Sequence, residues 1–267
     1  MAFVNKMCLG NTPTKDREVP ELKVFPEVEY YVSLFLELTQ GISRECVLQG
    51  NILLNMLLPN EARATKDLDF KVQNTKVYED VIVPRLKKYG ETCISSGFAD
   101  DYRLNNMVVD ERSGGIKVYK DGKVVFAVDI SVPSKDIIGV KEYQLRDVKI
   151  LGSSIERIIA DKVCATLSPK CFRRLKDFYD LYIISKSEFS VNYEGVYKLC
   201  IEGGADLNLM AVRFCDEDVW ARLDYAWEKF QLYKVLGDDT SNLPKPKFSE
   251  LAKEVQRVYN AIIKMGC

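Results

Sequence analysis

The 267-residue sequence contains no histidine. Histidine is the usual general base of serine and cysteine hydrolases, and it is a common ligand of zinc and haem iron. Its absence therefore excludes Ser-His-Asp and Cys-His catalysis, zinc held by histidine and haem held through histidine. Any catalysis must depend on carboxylates, lysine, hydroxyl groups, thiols or a metal ion with oxygen ligands.

Long apolar runs, closely paired cysteines and an excess of one charge are also missing. The longest apolar candidate, Tyr30–Leu38, is too short for a membrane span and contains Glu37. The eight cysteines include no CxxC pair, and Met1–Asp16 has no apolar core of the signal-peptide kind. We therefore predict a reduced, cytoplasmic protein without a membrane partner. A net charge of −1 excludes a basic coat over the whole surface, but it allows a local basic patch.

The periodicity of apolar residues divides the chain into three parts. Residues 1–24 are polar and are predicted to form a lead-in segment. Residues 25–152 mix helix and strand patterns, whereas residues 153–267 are predominantly helical. We predict an α/β (α+β) fold in which a mixed-sheet domain is followed by an all-helical C-terminal domain. The helices predicted in the first domain are Pro26–Gln40, Ile52–Leu58 and Lys76–Tyr89, and its strands are Glu45–Gln49, Leu68–Val72, Tyr102–Glu111, Ile116–Lys120, Val124–Val132 and Tyr143–Ile150.

Local signals add detail to this outline. Asp121-Gly122 between two alternating runs predicts a β-hairpin. Ser153 and Glu156 have the spacing of a capping box at the start of the helical domain. The helices predicted there are Ile155–Leu167, Phe172–Lys186, Tyr193–Cys200, Asp216–Tyr233 and Phe248–Met265, the last one preceded by a linker over Asn242–Pro246.

Four basic residues lie close together in the first third of the helical domain: Lys170, Arg173, Arg174 and Lys176. Such a charge run is usually the solvated face of a helix. It follows a candidate site in this sequence, so a second hypothesis is that it holds phosphates or an RNA backbone.

Two aspartates on a predicted strand provide the first chemical signal. In Asp67-Leu68-Asp69 the residues at i and i+2 project to the same face of a strand. Adjacent carboxylates repel each other, and a hard divalent cation such as Mg²⁺ relieves this repulsion while also binding substrate phosphates. The alternative is a solvent-exposed strand end, because a single D-x-D is common by chance.

A third aspartate and a glycine turn extend this signal. Asp129 is the one acid of the apolar strand Val124–Val132. If this strand lies beside Leu68–Val72, Asp129 can be a third metal ligand. Otherwise it is an acid on the solvent face or at the exposed end of the strand. Gly50-Asn51 stands where a strand turns into a helix, and glycine lets the backbone approach an anion closely there. An ordinary strand-helix turn is the alternative. Three carboxylates and two metal ions form the arrangement used for phosphoryl or nucleotidyl transfer.

Charged residues of the first two C-terminal helices complete the candidate set. Lys162 lies among apolar residues of its helix, from which it either reaches solvent or directs its charge at a triphosphate. Asp177 and Asp180 are neighbours on one face of the next helix. Arg173 is placed to form an intrahelical ion pair with Asp177.

In their order along the chain, these motifs resemble the AbiEii/AbiGii-type toxin family of the DNA polymerase β nucleotidyltransferase superfamily. The most specific parts are R-x-T-K-D-L-D-F over Arg63–Phe70 and R-R-x-K-D-x-Y-D-L over Arg173–Leu181, accompanied by G-N, V-D-I and A-D-K-x-x-A. The resemblance covers about Val47 to Ile184. One position departs from the family: Asn51 stands where the turn usually has Gly or Ser.

The resemblance implies a role for each matching residue. Asp67 and Asp69 bind metal, with Asp129 as the third acid, and Lys162 contacts nucleotide phosphate. Asp177 is the more direct catalytic participant of the last motif. The residues implied to bind substrate are Gly50, Asn51, Arg63, Thr65, Lys66, Lys162, Arg173, Arg174 and Asp180.

From the residues and the resemblance together we predict a nucleotidyltransferase that uses Mg²⁺ or Mn²⁺. It moves a nucleoside monophosphate from a nucleoside triphosphate to an acceptor hydroxyl, on a tRNA end or a protein. By resemblance it is the toxin of a type IV toxin–antitoxin system, with an antitoxin as a further partner. The alternatives are a catalytically silent nucleotide-binding or regulatory protein of the same fold, and a sugar-nucleotide glycosyltransferase that uses the D-x-D pair.

Overall fold

A computed structural model of the chain describes residues 26–39, 46–58, 62–65, 67–105, 113–133, 137–145, 148–232 and 245–266. A seven-stranded mixed sheet in the first half is followed by a helical region, and the predicted α/β fold class is confirmed. The predicted lead-in segment 1–24, most of the linker Asn242–Pro246 and the second half of the strand Tyr102–Glu111 lie outside the described residues.

The sheet has the strand order β3-β4-β5-β2-β1-β7-β6. Its strands are β1 (Cys46–Gln49), β2 (Asp67–Val72), β3 (Asp101–Asn105), β4 (Ser113–Lys120), β5 (Lys123–Ser131), β6 (Val140–Leu145) and β7 (Val148–Ser153). The pairs β2–β5 and β1–β7 are parallel, and the other neighbours are antiparallel. Residues Asp121 and Gly122, both with positive φ, form the predicted hairpin turn between β4 and β5.

The helices of the described residues fall into two groups, one in the sheet region and one in the helical region. Those of the sheet region are α1 (Glu29–Thr39), α2 (Asn51–Leu57), α3 (Thr75–Val77) and α4 (Val83–Ser95). Those of the helical region are α5 (Ile155–Leu167), α6 (Leu175–Lys186), α7 (Tyr193–Glu202), α8 (Leu207–Val212), α9 (Glu217–Lys229) and α10 (Phe248–Ile263). Within the described residues, no helix combines the length and the apolar character needed to cross a membrane.

Strand alternation gives the sheet one covered face and one open face. The side chains of Leu68 and Phe70 on β2 and of Val128 on β5 are buried in a core that α1, α4 and part of α2 complete. The alternate residues of the same strands are exposed or half-buried on the other face. The acidic candidates therefore lie on the open face.

A second apolar core joins the helical region to α2. It contains the inward faces of α5, α6 and α10 together with Leu54, Leu58 and Ala62 from the sheet region. The predicted domain boundary after residue 152 stays a prediction, because α2 contributes side chains to both cores.

Two predicted boundaries at the end of the sheet are wrong. The single strand Tyr143–Ile150 is in fact two antiparallel strands, β6 and β7. The apolar alternation changes phase between Leu145 and Val148, and this shift was the local signal of two strands. The predicted capping box is also wrong: Ser154, not Ser153, caps α5 by accepting a 3.3 Å hydrogen bond from the backbone N–H of Arg157, and Arg157 cannot complete a capping box.

Two helix predictions change as well. The helix expected over Lys76–Tyr89 extends through Ser95, with a π-helical turn at Tyr78–Ile82 just before Pro84. This wider turn accommodates a proline that cannot donate a backbone hydrogen bond. Helix α8 was not predicted from the sequence, and a short 3₁₀ turn over Cys171–Arg173 precedes α6.

Candidate active site

The three acidic candidates on the sheet are brought together by strand register. Asp69 on β2 is paired with Asp129 on the parallel strand β5. Asp67 lies two residues before Asp69 and therefore on the same face. Asp67 and Asp129 are exposed, whereas Asp69 between them is half-buried. The predicted strand Val124–Val132 thus lies beside Leu68–Val72, which is the arrangement that Asp129 needs in order to act as a third carboxylate.

Negative charge is concentrated at Asp69. Burial, together with the nearby carboxylates of Asp67 and Asp129, raises the pKa of Asp69 to about 6. Burial and Asp67 also raise the pKa of Asp129, against the opposing effect of Lys117. These directions show that the nearby cations do not fully neutralise the carboxylates.

Gly50 lies directly against this group. It has a positive φ of 71° at the start of α2, and a Cβ atom there would overlap Oδ2 of Asp69. Glycine is thus required both by the backbone conformation and by the approach of the Asp69 carboxylate.

Across the cleft, Lys162 belongs to a buried ionic group. The completely buried carboxylate of Asp180 accepts hydrogen bonds from Lys162 Nζ and from Arg63 Nε at 3.1 Å. Burial alone would raise the pKa of Asp180, but Arg63 and Lys162 outweigh it and hold that pKa below its usual value. The pKa of Arg63 is raised because Asp180 more than offsets the effect of burial.

Asp177 faces the cleft beside this group. Its carboxylate is 3.5 Å from Lys162 Nζ and 4.0 Å from Arg174 Nη1. Among the described residues, the ion pair considered between Arg173 and Asp177 is not formed. Arg173 belongs to the 3₁₀ turn, so the helical i,i+4 geometry does not apply to it.

The side chain of Asn51 turns away from the cleft. It is 5% exposed, and its Nδ2 and that of Asn55 both donate to the backbone carbonyl of Arg63. Thr65 is also buried and donates a 2.9 Å hydrogen bond to the backbone carbonyl of Asp67. In this conformation both side chains hold the segment before β2 rather than face a substrate. Lys66 lies outside the described residues.

A cleft of about 1000 Å³ separates the open sheet face from α5 and α6. The predicted site residues that line it are Gly50, Asp69, Asp129, Lys162, Arg174 and Asp177. Asp161 and several polar residues at strand ends also line it, and the sequence analysis missed them: Gln49, Asn105, Ser113, Ser131 and Ser153. Asp161 could have been found from the sequence, because it directly precedes Lys162 in the A-D-K motif. The strand-end residues could not, because the order of strands in the sheet decides which strand ends meet at the cleft.

The carboxylates fit a magnesium ion in charge and in ligand type. Among the described residues, no group of three acidic or thiol side chains is placed to hold a metal ion by itself. Mg²⁺ commonly binds one or two carboxylates together with substrate phosphates, and so needs no complete protein cage. Burial and the neighbouring carboxylates of Asp67 and Asp129 both raise the pKa of Asp69, so a bound cation would favour its charged form. Hard carboxylate oxygens beside a large cleft are a suitable donor set for such an ion.

Sequence comparison identifies the family. The family model described as "Nucleotidyl transferase AbiEii toxin, Type IV TA system" matches residues 36–254. The chain belongs to the AbiEii family. The resemblance predicted from the motifs is thereby confirmed, and the AbiEii match includes every candidate site residue. As a family member, the chain is a nucleotidyltransferase toxin of the type IV toxin–antitoxin class.

Several solved structures are similar to this AbiEii-family chain. A candidate nucleotidyltransferase from H. pylori has 18% identity and a TM-score of 0.47, with 88% of this chain and 93% of that chain covered. The nucleotidyltransferase toxin MenT4 from Mycobacterium tuberculosis has 13% identity and a TM-score of 0.47, with 89% and 85% covered. JHP933 from Helicobacter pylori has 17% identity and a TM-score of 0.44, with 91% and 96% covered. No curated protein sequence matches the chain.

Proposed function

We propose that this chain transfers a nucleoside monophosphate from a nucleoside triphosphate to an acceptor hydroxyl, with Mg²⁺ or Mn²⁺ as the cofactor. The acceptor is a tRNA end or a protein. The observation that carries the proposal is the pairing of Asp69 with Asp129 across parallel strands, opposite Lys162. Carboxylates and a cation facing each other across a cleft suit a substrate that brings both a metal ion and phosphates.

Asp67, Asp69 and Asp129 are the residues that would hold the metal ion. When bound, the ion supplies positive charge to the phosphates and lowers the pKa of the acceptor hydroxyl. Asp67 and Asp69 lie on the β1 side of this group and Asp129 on the β4 side. We therefore assign the triphosphate to the side of Asp67 and Asp69, and the acceptor to the side of Asp129.

Lys162 and Arg174 provide the fixed positive charge of the site. Lys162 Nζ is held by Asp180 and Asp177, so its ammonium group is oriented before the substrate arrives. Arg174 lines the same cleft and has a largely exposed side chain. Both stabilise the negative charge that develops on the triphosphate during transfer.

In the proposed reaction, the acceptor oxygen forms a bond to the α-phosphorus of the triphosphate. The bond from that phosphorus to the pyrophosphate oxygen breaks, and pyrophosphate leaves with its electron pair. The acceptor hydroxyl loses its proton, and we assign the exposed carboxylate of Asp129 as the base that takes it. No histidine is needed for any of these steps.

A transfer assay tests this proposal. Purified protein is incubated with Mg²⁺, total tRNA or protein extract, and each of four α-labelled nucleoside triphosphates in turn. We expect label on RNA or on protein with at least one nucleotide, and loss of that label in Asp69→Asn and Lys162→Met. Asp224→Asn, an exposed aspartate of α9, is the matched control and should keep activity.

Binding measurements separate the alternatives. Calorimetric binding of a magnesium–nucleotide complex without transfer to any acceptor would overturn the proposal in favour of a silent nucleotide-binding protein. Turnover of a sugar nucleotide would favour a glycosyltransferase, an alternative that the AbiEii match already disfavours.

Membership of a type IV system also implies an antitoxin partner. We propose that the chain acts in the cytoplasm, where nucleoside triphosphates and tRNA are available. Expression of the wild type should inhibit growth and co-expression of an antitoxin should relieve it, whereas Asp69→Asn should not inhibit growth at all.

A further inference from the structure

The open face of the sheet continues beyond the carboxylates onto β4 and β3. Strand register places Lys117 of β4 opposite Ala127 of β5, and Ala127 opposite Asp67 of β2. On its other side, Lys117 is paired with Arg103 of the edge strand β3. Lys117 and Arg103 thus lie in the same row across the sheet as Asp67, one row from Asp129.

Alternation along β4 fixes the direction of Lys117. Its neighbours Ile116 and Val118 are completely buried in the core, so Lys117 must project from the open face. Among the residues that the structure describes, Lys117 forms no ion pair.

Arg103 is exposed and supported by an aromatic ring. Its guanidinium carbon lies 4.8 Å from the ring centroid of Tyr119, and its Nε is 3.5 Å from Oδ2 of Asp101. The Arg103 side chain is 69% exposed, so solvent reaches the guanidinium group. Stacking on Tyr119 limits the positions available to the Arg103 side chain.

Two cations directly opposite each other on adjacent strands repel, and this repulsion is relieved when an anion binds both. Phosphates separated along a nucleic acid strand provide such anions. Guanidinium groups also form stacking surfaces for unpaired bases. An acidic peptide would also supply anions to both cations, but it would bring no unpaired base to stack on the guanidinium group.

We propose that Arg103 and Lys117 bind the phosphates of a single-stranded RNA end and guide its hydroxyl toward Asp129. This inference rests on the proposed nucleotidyl transfer and names the acceptor as RNA rather than protein. Arg103 and Lys117, called here the acceptor platform, lie on the Asp129 side of the acidic group and away from Lys162.

Salt-dependent RNA binding tests the platform without requiring transfer. Fluorescence anisotropy measures the affinity of full-length protein for a labelled single-stranded RNA of about 12 nucleotides, over a series of salt concentrations. Each lost phosphate contact should reduce the slope of log affinity against log salt by about 0.7. We expect this reduction, and about tenfold weaker binding, in Arg103→Gln and in Lys117→Gln.

Lys141→Gln is the matched control. Lys141 is an exposed lysine on β6 at the opposite end of the sheet, and its replacement removes the same charge. This variant should keep the wild-type slope. Equal slopes in all four proteins, or equal losses in Lys117→Gln and Lys141→Gln, would overturn the platform.

Steady-state transfer then separates this inference from the proposed function. With RNA as acceptor, the platform variants should raise KM for RNA about tenfold and leave KM for the nucleotide unchanged. Transfer to RNA with unchanged KM for RNA in both variants overturns the platform but keeps the proposed function. Label found on protein alone, together with no RNA binding, also overturns it. Platform-dependent RNA binding without any transfer supports the platform and counts against the proposed activity.

Discussion

At the scale of single residues, Gly50 has two separate requirements. Its φ of 71° disfavours any residue with a Cβ atom, and that atom would also overlap the Asp69 carboxylate. Gly204 has a similar φ of 77°, but a Cβ atom there would meet no other heavy atom within 4 Å. The two glycines therefore allow the two requirements to be separated.

We predict that Gly50→Ala abolishes nucleotidyl transfer, whereas Gly204→Ala keeps it. Both variants should lose about 1 kcal/mol of stability from backbone strain, with a further loss in Gly50→Ala from the displaced carboxylate. Urea denaturation measures the stability and the labelled-nucleotide assay measures the transfer. Full activity in Gly50→Ala would show that Asp69 tolerates displacement.

The carboxylate of Asp180 acts through other residues. It is completely buried and bonded to Arg63 and Lys162, so it reaches no substrate in this conformation. The family resemblance implies a substrate-binding role for Asp180. The structure favours a positioning role, in which Asp180 orients Lys162 toward the cleft.

Asp180→Asn should therefore be strongly destabilising. Removing one partner of a buried ionic group leaves the other charges uncompensated, at a cost of about 3–5 kcal/mol. The urea midpoint measures this loss, and the exposed Asp224→Asn should change it little. A stable Asp180→Asn protein with unchanged KM for nucleotide would contradict the positioning role.

At the scale of elements, the pairing of β2 with β5 forms the acidic site and also lowers the stability of the fold at neutral pH. The register places Asp69 beside Asp129. Burial, with the carboxylates of Asp67 and Asp129, raises the pKa of Asp69 from 3.8 to about 6. The folded protein therefore holds a proton at Asp69 more firmly than the unfolded chain does. By linkage, this group makes stability fall as pH rises from about 3.8 to about 6.

We predict that, without divalent cations, Asp69→Asn is more stable than the wild type above pH 6. The difference should shrink as pH falls below 6 and disappear below about pH 3, where Asp69 is protonated in both states. Urea denaturation of both proteins in a chelator, over a pH series, measures this effect. Mg²⁺ should stabilise the wild type alone, so equal stabilisation of both proteins would contradict a metal site at Asp69.

At the scale of the whole molecule, α2 links the two apolar cores. Ile52 packs in the core beneath the sheet, whereas Leu54, two residues later, packs among the C-terminal helices. Both tryptophans of the sequence, Trp220 and Trp227, lie in α9 of the helical region. Tryptophan fluorescence therefore reports on the helical region separately from the sheet.

Because one short helix contributes to both cores, we predict that they unfold together. Leu54→Ala and Ile52→Ala should each cost about 2–5 kcal/mol and shift the tryptophan and circular-dichroism transitions equally. A shift of the circular-dichroism transition alone in Ile52→Ala would show that the sheet region and the helical region unfold independently.

Local patterns in the sequence were enough to predict much of the fold. Alternation along Leu68–Val72 and Val124–Val132 predicted the two strands, and Asp121-Gly122 predicted the hairpin turn. The division into β6 and β7 was missed, although the apolar alternation changes phase between Leu145 and Val148. The π-helical turn before Pro84 was missed because only packing decides how a helix accommodates a proline.

The candidate site shows the same division between local and long-range information. The sequence by itself determined the candidate charged groups of the site, because motif spacing and residue chemistry are local properties. These groups are Asp67, Asp69, Asp129 and Lys162. Tertiary structure decided which of them share a cleft, since strand register joins Asp69 to Asp129 across 60 residues of sequence. It also turned Asn51 and Asp180 inward, where the Asn51 Nδ2 donates to the Arg63 carbonyl and the Asp180 carboxylate accepts from Arg63 Nε, contacts that no local pattern predicts.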